Sequence, residues 1–359
     1  MRGLYIHIPF CKSLCPYCHF YSIDDSNIEL QIRYVDALIN EMQSLENKYF
    51  DTIYIGGGTP SALNISVLEK LLYAVDSNIS YGGYEFSIEA NPESVSDDFV
   101  SLIKESQISR VSLGVQSLYD DVLKLLGRIH SSHQAIMAAD KILNINKDLN
   151  MDIIYDIPYT DNKKSIKTLE KIIKINPSHI SAYSYDAEDT GYLKGFNNDD
   201  TLFLEVEELC EKNGFYKYET SNFAKIGKES IHNSLYWQGE EYIGLGVSAH
   251  SMVYLEKNSR KRYNHGNDIE SYIASPNNVE NVEIISSSDA LLEDIIFGLR
   301  LKKGVNIEKL EKKFGKIDKN LLNKIEDNIK KGLLIREGVW LKATERGSLG
   351  LEWVSCSLL

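Results

Sequence analysis

The chain has 359 residues, 43% of them hydrophobic, enough for one large domain and a small one whose cores need no covalent staples. A formal charge of −13 works against general nucleic-acid binding, because phosphate contacts need a basic face. Five cysteines, an odd number with Cys210 and Cys356 far from the other three, do not suit a secreted disulfide framework.

Short β-branched and aromatic runs recur along the first two thirds, each followed by a helical pattern. LYIHI from Leu4 reads as the first strand. The helix after it carries Ile28, Ile32, Val35, Ile39, Met42 and Leu45 three or four apart, one apolar stripe. TIYI from Thr52, YEFSI from Tyr84, RVSL from Arg110, MDII from Met151 and HISAYSY from His179 are the remaining strands. Helices fit roughly 65–76, 96–106, 132–146, 163–175 and 200–213. Strict alternation implies parallel strands joined by right-handed crossovers, and the reading favoured here is an α/β fold with an incomplete (β/α)6 TIM-like barrel. The unusual residues then gather at the C-terminal ends of the strands, where such folds build their sites: a cysteine group after the first, GGGTP after the second, EANP at the third, GVQS after the fourth and Asp152 in the fifth.

The barrel is expected over residues 1–230. From 231 to 285 the aromatic and glycine-rich stretch IHNSLYWQGEEYIGLGVSAHS reads as a connecting segment of loops returning to the barrel edge. Residues 286–359 read as helices followed by a short hairpin, a small winged-helix-like α+β domain. Between Arg300 and Lys331 stand eleven basic residues against five acidic ones; the plain reading is a solvated face, and the acidity of the rest disfavours a nucleic-acid role. No run of about 18 apolar residues offers a membrane span. The opening MRGLYIHIPF does not read as a signal peptide, so reduced thiols and a cytoplasmic location are expected.

Cys11, Cys15 and Cys18 have the spacing C-x3-C-x2-C, on a segment that Pro9 and Pro16 keep out of a regular helix. Three clustered thiolates suit a soft iron–sulfur or zinc site. A structural zinc would need a fourth ligand, for which His19 stands nearby, whereas three ligands on a four-iron cluster leave one iron open to bind a reactant. Accidental clustering of buried cysteines is the bland alternative.

This triad, with Tyr17 before its third cysteine and Gly56-Gly57-Gly58-Thr59-Pro60 downstream, resembles the radical S-adenosylmethionine superfamily. The resemblance implies a [4Fe-4S] cluster on Cys11, Cys15 and Cys18, with S-adenosylmethionine held at the open iron and cleaved by one electron to a 5′-deoxyadenosyl radical. It extends through Tyr5-Ile-His-Ile-Pro-Phe-Cys11, Glu89-Ala-Asn-Pro92, Ser112-Leu-Gly-Val-Gln116-Ser, Gly127-Arg128-Ile-His130 and Asp152-Ile-Ile-Tyr to the oxygen-independent coproporphyrinogen III oxidase-like family, and within it to the HemW-type haem chaperones.

By that resemblance Tyr5 and Tyr17 pack near the cofactor, Gly57, Gly58 and Thr59 let backbone amides approach its methionyl group, and Glu89 accepts from ribose hydroxyls. Gln116, Arg128 and Asp152 would meet a second S-adenosylmethionine or the substrate. Each also has a plain alternative: a turn for the glycines, a helix cap for Glu89, an ion pair for Arg128 with Asp152. Phe20 stands where the oxidases carry a fourth cysteine, and His232-Asn-Ser-Leu-Tyr236-Trp237 matches the HNxxYW signature associated with haem. His232 is therefore a candidate axial ligand, with a hydrogen-bonded core histidine as the alternative. His19 and Asp156-Ile-Pro158 depart from the family pattern. The expected function is haem binding and delivery to haemoproteins such as membrane respiratory enzymes, with flavodoxin or ferredoxin as electron donor. Oxidative decarboxylation of a porphyrinogen is the competing expectation.

Overall fold

The computed structural model describes residues 1–185, 192–193 and 200–359. Six parallel strands lie side by side in chain order: β1 (Arg2–Ile8), β2 (Tyr49–Gly57), β3 (Ser80–Ala90), β4 (Arg110–Gln116), β5 (Asp148–Tyr155) and β6 (His179–Ser184). Helices α1 (Ile28–Ser44), α2 (Ile65–Asn78), α3 (Asp97–Glu105), α4 (Asp120–Leu125), α5 (Ser132–Asn144) and α6 (Asn162–Ile175) make the crossovers, and α7 (Asp200–Lys212) follows β6. The expected strands and helices are all present, with the short α4 in addition. Several helices start on side chains that satisfy their first free amides: Asn27, Asn64 and Ser96 do so singly, and Ser131 with Gln134 forms a reciprocal capping box.

Period-two alternation decides what each strand shows to each side. Ile6, Ile55, Ile88, Leu113, Met151 and Ile180 face the helices and are wholly buried. Each such side chain contributes about 1.5–3 kcal/mol by leaving water, so this face anchors the sheet. The opposite face is polar. Register puts Glu89, Ser112, Asn150 and His179 side by side across β3 to β6, with Gly114, Asp152 and Ser181 one step further toward the C-terminal ends.

The barrel stays open, because β6 pairs not with β1 but with antiparallel β8 (Asn222–Ala224), which carries β7 (Tyr216–Lys217) at the sheet edge. The segment from 231 corrects the expectation of loops. It forms α8 (Ile231–Trp237), β9 (Glu241–Leu245), β10 (His250–Tyr254), β11 (Arg260–Asn264), α9 (Ile269–Ala274) and β12 (Glu280–Ile285), and its strands extend the sheet beyond β1. These strands are short, and Gly244 and the run Arg260-Lys-Arg262 replace the β-branched residues that announce a strand.

The C-terminal part comprises α10 (Ser287–Gly298), β13 (Val305–Asn306), α11 (Ile307–Phe314), α12 (Lys319–Lys330), β14 (Leu334–Glu337), β15 (Trp340–Ala343), α13 (Glu345–Leu349) and α14 (Leu351–Leu358). Its three strands form a separate sheet in the order β13-β15-β14, and Ile295, Leu341 and Val354 lie at the centre of its own apolar core, the winged-helix-like plan expected. Among the described residues no helix is long and apolar enough to cross a membrane.

Candidate functional site

Strand β1 delivers the chain to the C-terminal end of the barrel, and backbone bonds strap the thiol loop there. Cys11 N donates to Ile23 O (2.9 Å), Ile23 N to Pro9 O (2.7 Å), Gly58 N to Ile8 O (2.8 Å) and Thr59 N to Phe10 O (2.8 Å). Cys11, Cys15 and Cys18 are unpaired thiols lining one cavity of about 470 Å³. Cys11 Sγ lies 3.5 Å from Thr59 Oγ1, and Arg128 Nη1 donates to Cys15 Sγ at 3.3 Å. Arg128 is itself fixed by Asn91 Oδ1 (2.6 Å) and Gly114 O (2.9 Å), while Asn91 Nδ2 donates to Thr59 Oγ1 (2.9 Å). One polar chain therefore ties the first cysteine to the second.

Burial pushes the thiols of Cys11 and Cys18 above the ordinary range. A positively charged iron centre would reverse this, since metal binding takes the thiol as thiolate. Among the described residues no three His, Cys, Asp or Glu side chains converge on a point for a single ion, and His19 is exposed. The three thiols line one cavity, and an N–H donor already stands on one sulfur. That arrangement fits a cluster with three protein ligands.

The glycines of GGGTP serve close approach, though not as expected. Gly57 has φ +117°, and a Cβ there would sit 2.5 Å from the His7 ring; at Gly58 it would meet the Pro9 carbonyl at 2.9 Å and Cys11 Sγ at 3.0 Å. Their amides, with that of Thr59, are engaged within the protein, Gly57 N donating to Glu89 Oε2 at 3.1 Å. They line the cavity but offer it no free N–H.

Glu89 also accepts from the Tyr54 hydroxyl at 2.7 Å. Burial pushes its carboxyl up to about 7, the Tyr54 bond opposing this and the Asp152 charge adding to it. The helix-cap alternative fails, because Ser96 caps α3 itself. Asp152 is likewise raised by burial, against hydrogen bonds from Ser112 (3.0 Å) and Asn150 (2.7 Å). Among the described residues no hydrogen bond joins it to Arg128, which donates instead to Cys15, Asn91 and Gly114, so the ion-pair alternative does not hold. Gln116 stands at φ +64° after a register shift between β4 and β5 and lines the same cavity. Tyr17 lines it too, packed against a small apolar cluster that includes Leu126 and Ile157. Tyr5 lies one layer behind, its ring stacked on Tyr54 (6.2 Å) and its hydroxyl 3.0 Å from His7 Nδ1.

His232 is not with them. It is 1% exposed on α8, with Nδ1 2.8 Å from Thr52 Oγ1 and Nε2 2.9 Å from the Tyr236 hydroxyl, and its ring stacks on Tyr54 at 5.3 Å. Both nitrogens are engaged in the core, so axial ligation of haem would require one bond to break and the ring to leave its place. In this structure His232 takes the place that the alternative reading gave it, that of a hydrogen-bonded core histidine. Sequence reasoning missed Tyr54, Asn91, Ser112 and Asn150. Period-two counting from Glu89 and Asp152 would have found Asn91 and Asn150, whereas Ser112 and Tyr54 lie on other strands and depend on register.

Comparison with known proteins agrees with this geometry. Residues 5–172 match the model of the Radical SAM superfamily, and residues 285–349 that of the HemN C-terminal domain. The Heme chaperone HemW of Lactococcus lactis subsp. lactis (strain IL1403) is 33% identical over 362 aligned positions, spanning 96% of this chain and 94% of that protein. The chain belongs to the HemW family. The HemW of Bacillus subtilis (strain 168) is 28% identical and covers 97% of each chain. Among solved structures, the coproporphyrinogen III oxidase HemN of Escherichia coli, described as a radical SAM enzyme, superposes with a TM-score of 0.83 over 99% of this chain and 89% of its own, at 20% identity. That likeness shows that this chain shares the oxidase's fold. At Asp156-Ile-Pro158 the Asp156 backbone holds a left-handed φ of +57°, a conformation that glycine adopts freely and other residues seldom do.

Proposed function

We propose that this chain is a haem chaperone that carries a [4Fe-4S] cluster on Cys11, Cys15 and Cys18, binds S-adenosylmethionine beside it, and passes haem to haemoproteins. When bound, the cluster supplies an open iron and one electron for chemistry on the sulfonium. The observation that carries the reading is one cavity on which three unpaired thiols and two buried carboxylates, Glu89 and Asp152, converge. Arg128 presents its N–H groups to Cys15 and to protein acceptors, leaving Glu89 and Asp152 to face the guest. A cationic sulfonium compound relieves the mutual repulsion of these carboxylates, while Glu89 retains lone pairs for ribose hydroxyls. Tyr54 holds that carboxylate, and Tyr5 and His232 hold Tyr54.

Phe20 favours the chaperone reading over porphyrinogen decarboxylation. It is 67% exposed at the cavity mouth, where the oxidases place a fourth cysteine, and it offers apolar surface in place of a thiol. The expected acceptors are haemoproteins, membrane respiratory enzymes among them, and the electron donor is a flavodoxin or ferredoxin. The test adds haem to cluster-loaded, anaerobic protein, and separately supplies coproporphyrinogen III with reductant and S-adenosylmethionine. A shifted Soret band with no vinyl product supports the chaperone. Vinyl product at useful turnover establishes the oxidase instead.

A further inference from the structure

Beneath the thiols the cavity continues to the far end of the strands. Arg110 opens β4 and Gln116 closes it, roughly 20 Å apart at about 3.3 Å per residue, and both line the cavity. The proposed S-adenosylmethionine site uses the thiol end alone. At the other end stand Arg110, Asn150, His179, Ser181, Ser230 and Asn233.

Most of these groups satisfy one another. His179 Nδ1 pairs with Asn150 Oδ1 (2.7 Å) and Nε2 with the Tyr218 hydroxyl (2.8 Å); Asn150 Nδ2 donates to Ser181 Oγ (2.9 Å), and Ser230 Oγ to Glu85 Oε1 (3.1 Å). Two groups are left over. Arg110 is 6% exposed, and one terminal nitrogen donates to the carbonyls of Lys228 (2.9 Å) and Glu229 (3.1 Å), but its Nε and other terminal nitrogen reach no acceptor. Glu85 does not supply one. It lies 3.7 Å away, beyond hydrogen-bond length, and already accepts from Ser87, Ser230 and the amide of Ile231. The side-chain amide of Asn233 likewise has no hydrogen-bond partner among the described residues, while its backbone N donates to Ser230 Oγ. The Arg110 donors are buried, and donors left unmade inside a protein cost about 1–3 kcal/mol each, more when charged, until an acceptor arrives; Asn233 is half-buried on the cavity wall.

We propose that this inner end of the lumen is a carboxylate-binding subsite, in which Arg110 and Asn233 hold the acid group of an organic guest whose remainder extends toward the thiols. The proposal rests on the reading above, in which the cluster and S-adenosylmethionine occupy the outer end. A guanidinium fork matches the two oxygens of a carboxylate. A phosphate is disfavoured, because Glu85 and Asp152 flank the position and limit the negative charge it accepts. Within HNxxYW, Asn233 is then the residue that touches ligand and His232 the one that holds the helix. The acid group comes either from a free small acid or from the propionate arm of haem.

The test titrates cluster-loaded, S-adenosylmethionine-saturated protein with propionate and propionamide by saturation-transfer NMR, and with haem and haem dimethyl ester by absorbance. Propionate binding at least tenfold tighter than propionamide, and weakened at least tenfold by Asn233→Asp, supports the subsite. Weakening of haem by esterification assigns the acid to the haem arm; equal binding of haem and its ester, with the propionate result intact, assigns it to a free acid. Equal binding of propionate and propionamide, or indifference to Asn233→Asp, overturns the proposal and leaves water as the occupant. Asn233→Asp is expected to fold, since the side chain bonds no protein group, and it decides the matter even where Arg110→Met does not fold. Failure of the haem reading looks different: wild type then ignores haem while still distinguishing propionate from propionamide.

Discussion

Replacing His232 with alanine separates a core role from a ligand role. The imidazole is 1% exposed and bridges Thr52 at 2.8 Å and Tyr236 at 2.9 Å. Its removal strands two hydroxyls in the interior, each worth about 1–3 kcal/mol when unpaired, and opens a hole of the kind that costs about 2–5 kcal/mol in large-to-small substitutions. Water entering the hole restores part of the lost bonding, so the two terms overlap, and the expected net loss is about 3–4 kcal/mol. Against a total stability of about 5–15 kcal/mol this is a large fraction. Anaerobic urea unfolding followed by circular dichroism reads it as a lower midpoint. S-Adenosylmethionine affinity should fall in the same variant, because the ring that stacks on His232 is Tyr54, which orients Glu89. A loss under about 1 kcal/mol, well below the cavity range, combined with abolished haem binding, would refute the reasoning and make the imidazole a ligand.

Arg128→Met removes both a positive charge and an N–H from Cys15 Sγ, so the cluster potential should move in the negative direction, read by a redox titration monitored by electron paramagnetic resonance. Glu89, pushed up to about 7 by burial, must be ionised to face a cation; S-adenosylmethionine affinity should therefore decline as pH falls below about 7, and Glu89→Gln should flatten that profile in equilibrium binding. His7 and His232 are kept neutral by burial, their pKa lowered to about 4 and about 3. As pH falls the unfolded chain takes up these protons first, near 6.5. Stability should thus fall from about pH 6.5 downward, by up to about 1.4 kcal/mol per pH unit for each histidine until its folded pKa is reached. Urea midpoints unchanged between pH 6.5 and 4.5 would contradict this.

The six βα units were legible because parallel strands buried under helices read as apolar runs, and because each run was followed by a 3.6-period stripe. The thiol loop was legible from spacing and from the prolines on it. What lay hidden has physical causes. Residues 231–285 form strands whose pairing along β1 depends on distant chain, not on local β-propensity, and Gly244 gives no pattern of its own. The engaged amides of Gly57, Gly58 and Thr59 follow from strapping the thiol loop to β2, a tertiary fact no motif records. His232 looked like a ligand because its sequence neighbours are aromatic; the rings turn out to pack it, Tyr54 on one side and Tyr236 on another. In place of the alternative Arg128 and Asp152 pair, the guanidinium bonds to Asn91 and Gly114, partners that the strand register of β3 and β4 brings to it.

The central claim is that three thiols hold an iron–sulfur cluster with one iron left for a small molecule. Its most direct measurement is the iron and acid-labile sulfide content of anaerobically purified wild type and Cys15→Ser, with electron paramagnetic resonance of the reduced protein before and after S-adenosylmethionine. The account predicts about four irons and four sulfides per chain, as a three-thiolate cubane requires, lost in the variant, and a spectrum altered by the added compound. Wild type free of iron, or a variant that keeps its full metal content, would contradict it.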